Sequence, residues 1–325
     1  VGLIAKVANF FGGYHTLIPR FVNSFLHAIT AVFLYRLCNI YLDKKSQALW
    51  IALVFSCFPH VVYLSAHIYR DTFICFAFTY CAYKVLKDET TLFDWITILL
   101  ILIATSEIRF FSMVMLIVCL IGGVVFVKVK SAWFKRMVLI SGGIVAGILV
   151  ISLTALSSSE LEIIQLLVLK QDHYTNLRSS SAYSTGLAAV ILQMDLFPFG
   201  LIVRPTYLAI NPLPFLNFKA PHFINGLGTL VQVTLFFFSV VFTFQNFRSS
   251  RFLPLFIMLW GLVLGISLTS FQLRHMVMFY PFLFVVGGLG LYENYQKKIF
   301  LINSSFIVLV IGVLFVWLYL FNKLL

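Results

Sequence analysis

Residues 94–127 have the sequence DWITILLILIATSEIRFFSMVMLIVCLIGGVVFV, which is the most informative part of the chain about its fold. Two apolar runs flank a short polar connection from Ser106 to Arg109. Runs of about 17–25 apolar residues cross a hydrocarbon core as helices, which satisfy their own backbone hydrogen bonds. The 34 residues give each arm only about 24 Å at a rise of about 1.5 Å per residue. We therefore expect a membrane hairpin whose tip stays below the outer surface.

The hairpin tip carries two ionisable residues, Glu107 and Arg109. Ionisable groups at membrane depth are costly, and by default they indicate a transport pathway or a functional site. The alternative is a Glu107–Arg109 pair that only closes a short turn.

The composition extends this interpretation to the whole chain of 325 residues. Apolar residues make up 61% and charged residues 10%, against about 25% charged residues in an average soluble domain. We therefore predict an all-α, polytopic transmembrane protein that forms a single transmembrane domain over residues 1–325, with no soluble domain. The predicted spans, about ten in number, are 21–42, 48–66, 71–87, 94–106, 110–127, 137–156, 225–247, 252–270, 274–292 and 299–321.

The loops between these spans differ in their basic residues. Loops that carry an excess of Lys and Arg face the cytoplasm, so the net charge of +12 indicates topology rather than nucleic-acid binding. The N-terminus is then predicted to lie outside, with residues 1–20 forming the end of an outside loop. The segment 157–224 is also predicted to lie outside. The basic residues of the predicted cytoplasmic loops are Lys44, Lys45, Lys84, Lys87, Lys128, Lys130, Lys135, Arg136, Arg248, Arg251, Lys297 and Lys298.

The outside segment 157–224 is long and is interrupted by five prolines. It is too long for a turn, and proline breaks a continuous span. Residues 160–170 are predicted to form an interfacial helix, and residues 186–218 to form short helices that dip into a cavity of the outer leaflet. The alternative is a re-entrant cap that does not contact a substrate.

Arginine collects on the predicted outer side. Each short outside loop carries one, namely Arg70, Arg109 and Arg274, and Arg20 and Arg204 are expected at the same level. The planar guanidinium binds phosphate through two parallel hydrogen bonds, so these residues predict a site for a phosphate or pyrophosphate. The competing explanation is structural pairing with the neighbouring acidic residues.

Three carboxylates are candidates for general-base or metal chemistry: Asp71, Glu107 and Asp195. A partly buried carboxylate can acquire a pKa suited to proton transfer. The sequence predicts no set of metal ligands, and it leaves open whether the protein uses a divalent cation as a cofactor. The chain has no phosphate-binding glycine loop and no His-Glu-x-x-His motif, which argues against a nucleotide-driven pump or a soluble-type hydrolase.

Four histidines divide into two pairs. His67 and His275 flank the outside arginines and could donate to phosphate or carry a proton, or they could simply be interfacial. His27 and His60 lie within predicted spans, have no charged neighbour in the sequence and are interpreted as packing residues.

Several of these features together resemble the polyprenyl-phosphate-sugar-dependent glycosyltransferases of GT-C fold, the protein mannosyltransferase-like group and its relatives in bacterial surface-polysaccharide assembly. The resemblance covers most of the chain in helix order. The residues that carry it are Pro19-Arg-Phe-Val-Asn23, Phe33-Leu-Tyr-Arg-Leu-Cys38, Phe58-Pro59, Ile68-Tyr-Arg-Asp71, the hairpin with Arg109, and Arg274-His275 followed by Pro281.

The resemblance implies a glycosyltransferase at the outer face of the cytoplasmic membrane. Its partners would be a polyprenyl-(pyro)phosphate-linked sugar, a glycan or lipid acceptor and membrane lipid, and Arg70, Arg204 and Arg274 would bind the donor phosphate. That family places a catalytic acid in the first outside loop after an earlier span, so a segment before Val1 is expected, and the resemblance does not assign that role to Asp71. The alternatives are a surface-polysaccharide polymerase without such an acid, a lipid-glycan flippase or other transporter, and a non-catalytic membrane subunit.

Overall fold

The computed structural model describes residues 17–67, 70–128, 191, 200–211, 220–269 and 273–296. The regular structure of these residues is helical and contains no strand, which confirms the predicted all-α class. The helices are α1 Leu17–Tyr41, α2 Lys45–Ser56, α3 Pro59–Ser65, α4 Asp71–Leu86, α5 Leu92–Ile108, α6 Phe110–Lys128, α7 Leu201–Ile210, α8 Ala220–Asn246, α9 Leu253–Thr269, α10 Leu273–Met276 and α11 Tyr280–Gln296.

Two stretches of helix, Leu17–Tyr41 and Gly226–Asn246, are long and apolar enough to cross a membrane. The pair α2 and α3 makes a third if the two helices form one bent span. The stretches Phe110–Val124 and Leu253–Ser267 are apolar but shorter. These helices indicate a helical membrane protein, and their number among the described residues is smaller than the predicted ten. The predicted spans 137–156 and 299–321, and the predicted interfacial helix 160–170, lie outside the described residues.

The predicted span 48–66 is not one continuous helix. It is divided into α2 and α3, which meet at a bend of 56°. Proline has no N–H to continue a helix, and Pro59 stands at the start of α3. Two polar side chains of α1 bind backbone carbonyls at the two ends of α3: His27 Nε2 lies 3.0 Å from the Ser56 carbonyl at the bend, and Asn23 donates at 2.7 Å to the His67 carbonyl, which follows the C-terminal end of α3. His27 is therefore a hydrogen-bonding residue as well as a packing residue.

The predicted span 274–292 is also divided. The short helix α10 ends at Met276, and α11 begins at Tyr280 with Pro281 in its first turn. A proline in the first turn costs no hydrogen bond, because N–H groups there have no partner within the helix. The break places Arg274 on a separate element from the long helix that follows.

Helices α8 and α11 pack at close range through glycines of α11. A Cβ atom on Gly287 would lie 2.6 Å from the Leu235 carbonyl oxygen, which is closer than van der Waals contact allows. Small residues permit such close helix packing in membranes. Gly287 thus sets the distance between two of the central helices.

Helices α4 and α6 run side by side in the same direction. Asp71 at the start of α4 contacts Arg109, which directly precedes α6. Toward the other end, Gly123 of α6 lies so near α4 that a Cβ atom there would be 3.1 Å from Val85. The N-termini of both helices consequently lie at the same end of the bundle.

The opposite end holds a second group of charges. Asp94, in the first turn of α5, forms ion pairs with Lys84 and Lys87 at the C-terminal end of α4. The Thr91 hydroxyl accepts from the Asp94 backbone N–H while the Asp94 carboxylate accepts from the Thr91 N–H, a reciprocal cap of α5. Lysines predicted at the cytoplasmic side therefore gather at the end opposite Asp71 and Arg109.

Candidate anion-binding site

The site lies where α4 and α6 begin, and its two central side chains are Asp71 and Arg109. Asp71 is the first residue of α4, and Arg109 fills the single-residue break between α5 and α6. A carboxylate at a helix N-terminus is favoured by the helix macrodipole. The break at Arg109 places this guanidinium beside two helix N-termini.

Asp71 and Arg109 form an ion pair. Arg109 Nη2 lies 2.8 Å from Asp71 Oδ1, and the Asp71 side chain is only 2% exposed. The N–H bond is not aligned with the oxygen as in a hydrogen bond, so the contact is an ion pair by distance. Arg109 thus pairs with Asp71 and not with Glu107, which is exposed at the end of α5. The alternative in which Arg109 pairs with Glu107 to close the turn is therefore not what the structure has, because the parallel packing of α4 and α6 brings Asp71 to Arg109.

Arg70 and Arg274 complete the charge cluster. Both act electrostatically on Asp71 and on Arg109. Arg70 Nη1 also donates to the carbonyl of Ile108 at 3.1 Å, which joins the start of α4 to the end of α5. Because three guanidinium groups surround one carboxylate, the cluster has a formal charge of +2.

Buried polar atoms at the cluster have unused hydrogen-bonding capacity. Thr72, 1% exposed, lies in the first turn of α4, and Ser112, fully buried, lies in the first turn of α6. Within the described part of the chain, no hydrogen-bond partner meets Thr72 Oγ1, Ser112 Oγ or Arg109 Nη1. Buried polar atoms are normally satisfied, so unpaired ones indicate a strained or ligand-binding position.

The arrangement is suited to an anion with several oxygens. Helix N-termini present unpaired N–H groups and positive partial charge, and guanidinium groups add charged donors. Two hydroxyl groups could supply further hydrogen bonds. Phosphate and pyrophosphate match this combination, and the single carboxylate at its centre could accept a proton from a hydroxyl group.

The remaining predicted site residues differ in burial and in their contacts. Arg20 is exposed on the first turn of α1, and His67 hydrogen-bonds through Nδ1 to the Tyr63 carbonyl at 2.7 Å. His275 is half-buried beside Arg274 on α10. Arg204 is buried on α7, where burial lowers the pKa of its guanidinium. The helix that carries Arg204, α7, packs against α8 and α9.

Asp195, the third candidate carboxylate, lies outside the described residues. Among the residues that the structure does describe, no three His, Cys, Asp or Glu side chains are grouped so that they could hold a metal ion.

A buried polar chain joins four helices of the bundle. His60 Nδ1 lies 3.0 Å from the Tyr280 hydroxyl, which donates to Gln232 Oε1 at 2.9 Å. Since the hydroxyl hydrogen is used toward Gln232, His60 donates from Nδ1 in this arrangement. Gln232 Nε2 in turn donates to carbonyls at the end of α7, at 2.9 Å for both Leu208 and Ala209. The chain joins α3, α11, α8 and α7, so His60 is a hydrogen-bonding residue rather than a packing residue alone.

Sequence reasoning missed Thr72 and Ser112 at the site. Their signal is positional: each hydroxyl follows a charged site residue by one to three positions and falls in the first turn of a helix. Gln232 and Tyr280 give no such signal, because their partners lie more than 20 residues away in the sequence. Comparisons of the chain with protein-family models, with curated proteins and with solved structures give no match.

Proposed function

We propose that the chain is a membrane-embedded glycosyltransferase that uses a polyprenyl-linked sugar donor in cell-surface polysaccharide assembly. It would act at the outer face of the cytoplasmic membrane, as a GT-C-like protein with about ten spans. The observation that carries the proposal is the convergence of Arg70, Arg109 and Arg274 on Asp71. These residues come from three separate parts of the sequence and meet at one end of the bundle.

The chemistry that the cluster supports is departure of a phosphate. When the bond between a sugar and its lipid phosphate breaks, negative charge develops on the leaving phosphate. Guanidinium groups that are already in place stabilise that charge without reorganisation. In this proposal Arg70, Arg204 and Arg274 bind the donor phosphate, and Glu107 with Arg109 lines the lipid entrance.

Arg274 is the best residue for a test, because it is exposed and lies on the short helix α10. In cells that depend on this protein for polymer, Arg274→Ala should abolish the polymer while the amount of membrane-inserted protein stays unchanged. Arg248→Ala is the matched control, since Arg248 is an equally exposed arginine after α8, and it should leave the polymer intact. Unchanged polymer in the Arg274 variant contradicts the proposal.

A second candidate is a repeat-unit polymerase that needs no catalytic acid. The observation in its favour is that Asp71 is ion-paired with Arg109 and buried, so the cluster presents mainly positive charge. Asp71→Asn separates the two candidates: polymer formation should be lost in a transferase that uses Asp71 as a base, and retained in a polymerase that uses only the arginines.

A further inference from the structure

Asp71 occupies the position where an anionic ligand of the cluster would bind. Its carboxylate lies against Arg109 and within electrostatic reach of Arg70 and Arg274. In the structure it is therefore the internal counter-ion of three arginines. A ligand phosphate that approaches the same guanidinium groups must compete with it.

The contact that holds Asp71 is one that a stronger ligand could replace. Arg109 Nη2 is 2.8 Å from Asp71 Oδ1 but is not aligned for a hydrogen bond, and Arg109 Nη1 has no hydrogen-bond partner among the described residues. A phosphate could align with both nitrogens of the guanidinium fork, and such paired bonds are stronger than a single misaligned one.

The cluster also has capacity for more negative charge than Asp71 supplies. Its formal charge is +2 with the carboxylate in place, so a phosphate or pyrophosphate brings it closer to neutrality. The unpaired hydroxyl groups of Thr72 and Ser112 lie at the two helix N-termini that flank the ion pair. These hydroxyl groups could donate hydrogen bonds to phosphate oxygens, of which a phosphate has more than the Asp71 carboxylate has.

We propose that Asp71 is an exchangeable counter-ion: the donor phosphate displaces it from Arg109, and the displaced carboxylate then serves as the base for the acceptor. This proposal rests on the proposed function and adds its order of events. Before donor binding, Asp71 is held by Arg109 and cannot approach an acceptor hydroxyl group. After donor binding, the phosphate holds the arginines and the carboxylate is released.

The transfer step forms one bond, breaks one bond and moves one proton. The acceptor oxygen forms a bond to the anomeric carbon while its proton passes to Asp71. The bond between the anomeric carbon and the phosphate oxygen breaks, and its electron pair leaves with the phosphate, which the arginines bind. No oxidant or reductant is required, and Asp71 returns to Arg109 when the lipid phosphate departs and the proton is released.

The test compares ligand binding with catalysis. Purified protein in nanodiscs is titrated with farnesyl diphosphate, with inorganic pyrophosphate and with farnesol, for the wild type, Asp71→Asn and Asp94→Asn. Asp94 is the matched control, since it is an equally buried aspartate in ion pairs at the opposite end. Removing an internal competitor raises the apparent affinity by the reciprocal of the fraction of sites that were free, so if Asp71 leaves about a tenth of the sites free, Asp71→Asn should bind farnesyl diphosphate about tenfold more tightly.

The arms distinguish where the recognised phosphate comes from. If Asp71→Asn binds both farnesyl diphosphate and pyrophosphate more tightly than the wild type, a free anion suffices for recognition. If only farnesyl diphosphate binds more tightly, a lipid tail is also needed. Either result supports the exchange, and farnesol, which has no phosphate, should not bind. Sugar transfer by Asp71→Asn should fall about a hundredfold despite the tighter binding, as expected for loss of a general base. Equal or weaker binding by Asp71→Asn overturns the exchange.

A second measurement uses only the wild type, in case the substitution disturbs folding. Protein labelled with ¹³C-aspartate should show a shifted carboxylate band in the infrared difference spectrum when farnesyl diphosphate binds. An unchanged aspartate spectrum on saturation contradicts displacement. Absence of sugar transfer by the wild type would instead count against the proposed function, so the two failures are distinguishable.

Discussion

At the residue scale, the choice between lysine and arginine separates the two ends of the described bundle. Lysines 84 and 87 pair with Asp94 at one end, and arginines 70, 109 and 274 surround Asp71 at the other. A lysine is a compact charge that suits interaction with an anionic leaflet, whereas arginine offers a planar fork for phosphate. The two ends of the described bundle therefore carry the same sign of charge on different side chains.

Removing Arg109 should destabilise the protein strongly. Arg109→Ala leaves the buried Asp71 carboxylate without its nearest counter-charge, and breaking one side of a buried ion pair costs about 3–5 kcal/mol. Thermal unfolding in detergent measures the loss. Arg248→Ala, at an exposed arginine, should leave the midpoint nearly unchanged, and equal midpoints for both variants contradict a buried ion pair.

Tyr280→Phe should also lower stability, through the buried polar chain. The substitution keeps the ring but leaves His60 Nδ1 and Gln232 Oε1 without the hydroxyl between them. We expect a loss of about 1–2 kcal/mol, since interhelical hydrogen bonds in membrane proteins are individually modest. Tyr295→Phe, on the same helix at an exposed position, is the control for the same detergent melt. A Tyr280 variant as stable as the control contradicts the role of this hydroxyl group.

At the element scale, two predicted spans are each divided into two helices. The breaks at Pro59 and before Pro281 could be predicted from the prolines, but the polar contacts of α1 with the two ends of α3 could not. Asn23 and His27 act on carbonyls more than 25 residues away, and no local pattern reports such partners. Hydropathy averages over a break, so it locates apolar stretches better than it locates bends.

Alanine substitution of two glycines should have opposite effects on stability, because one glycine is packed between α8 and α11 and the other, on α9, has open space around it. Gly287→Ala should force the helices apart, because the added Cβ would lie 2.6 Å from the Leu235 carbonyl oxygen. Gly261→Ala on α9 adds a Cβ with no atom within 4 Å, so it should be neutral or raise stability by up to about 1 kcal/mol through helix propensity. Melting curves of the two variants in one detergent check the pair, and a Gly287 variant as stable as the Gly261 variant contradicts this packing.

At the scale of the whole molecule, hydropathy and charge were enough to predict the all-α class and to nominate the arginines. The contact between Arg109 and Asp71 was not predicted, because sequence proximity favours Glu107 and only the parallel packing of two helices reverses that choice. For Arg204, which the sequence places with the other arginines, the structure shows a buried side chain on α7, and its grouping with the other arginines stays a prediction.

The predicted orientation can be measured by cysteine labelling in a Cys57→Ser background, which removes the exposed cysteine of the described residues. Glu107→Cys, near the arginine cluster, should react with a membrane-impermeant maleimide in intact cells. Glu89→Cys, at the end that holds Asp94, should react only after the membrane is permeabilised. Both side chains are exposed on the surface of the protein. The reverse pattern would place the arginine cluster in the cytoplasm.

We propose above that the arginine cluster supports sugar transfer from a lipid phosphate. The most direct measurement uses purified protein in vesicles with a polyprenyl-phosphate donor that carries a labelled sugar, followed by release of the label into an acceptor glycan. We expect transfer by the wild type and by Arg248→Ala, and none by Arg274→Ala at equal protein. Movement of intact labelled donor across the vesicle membrane without transfer, or transfer that is unchanged in Arg274→Ala, would contradict the account.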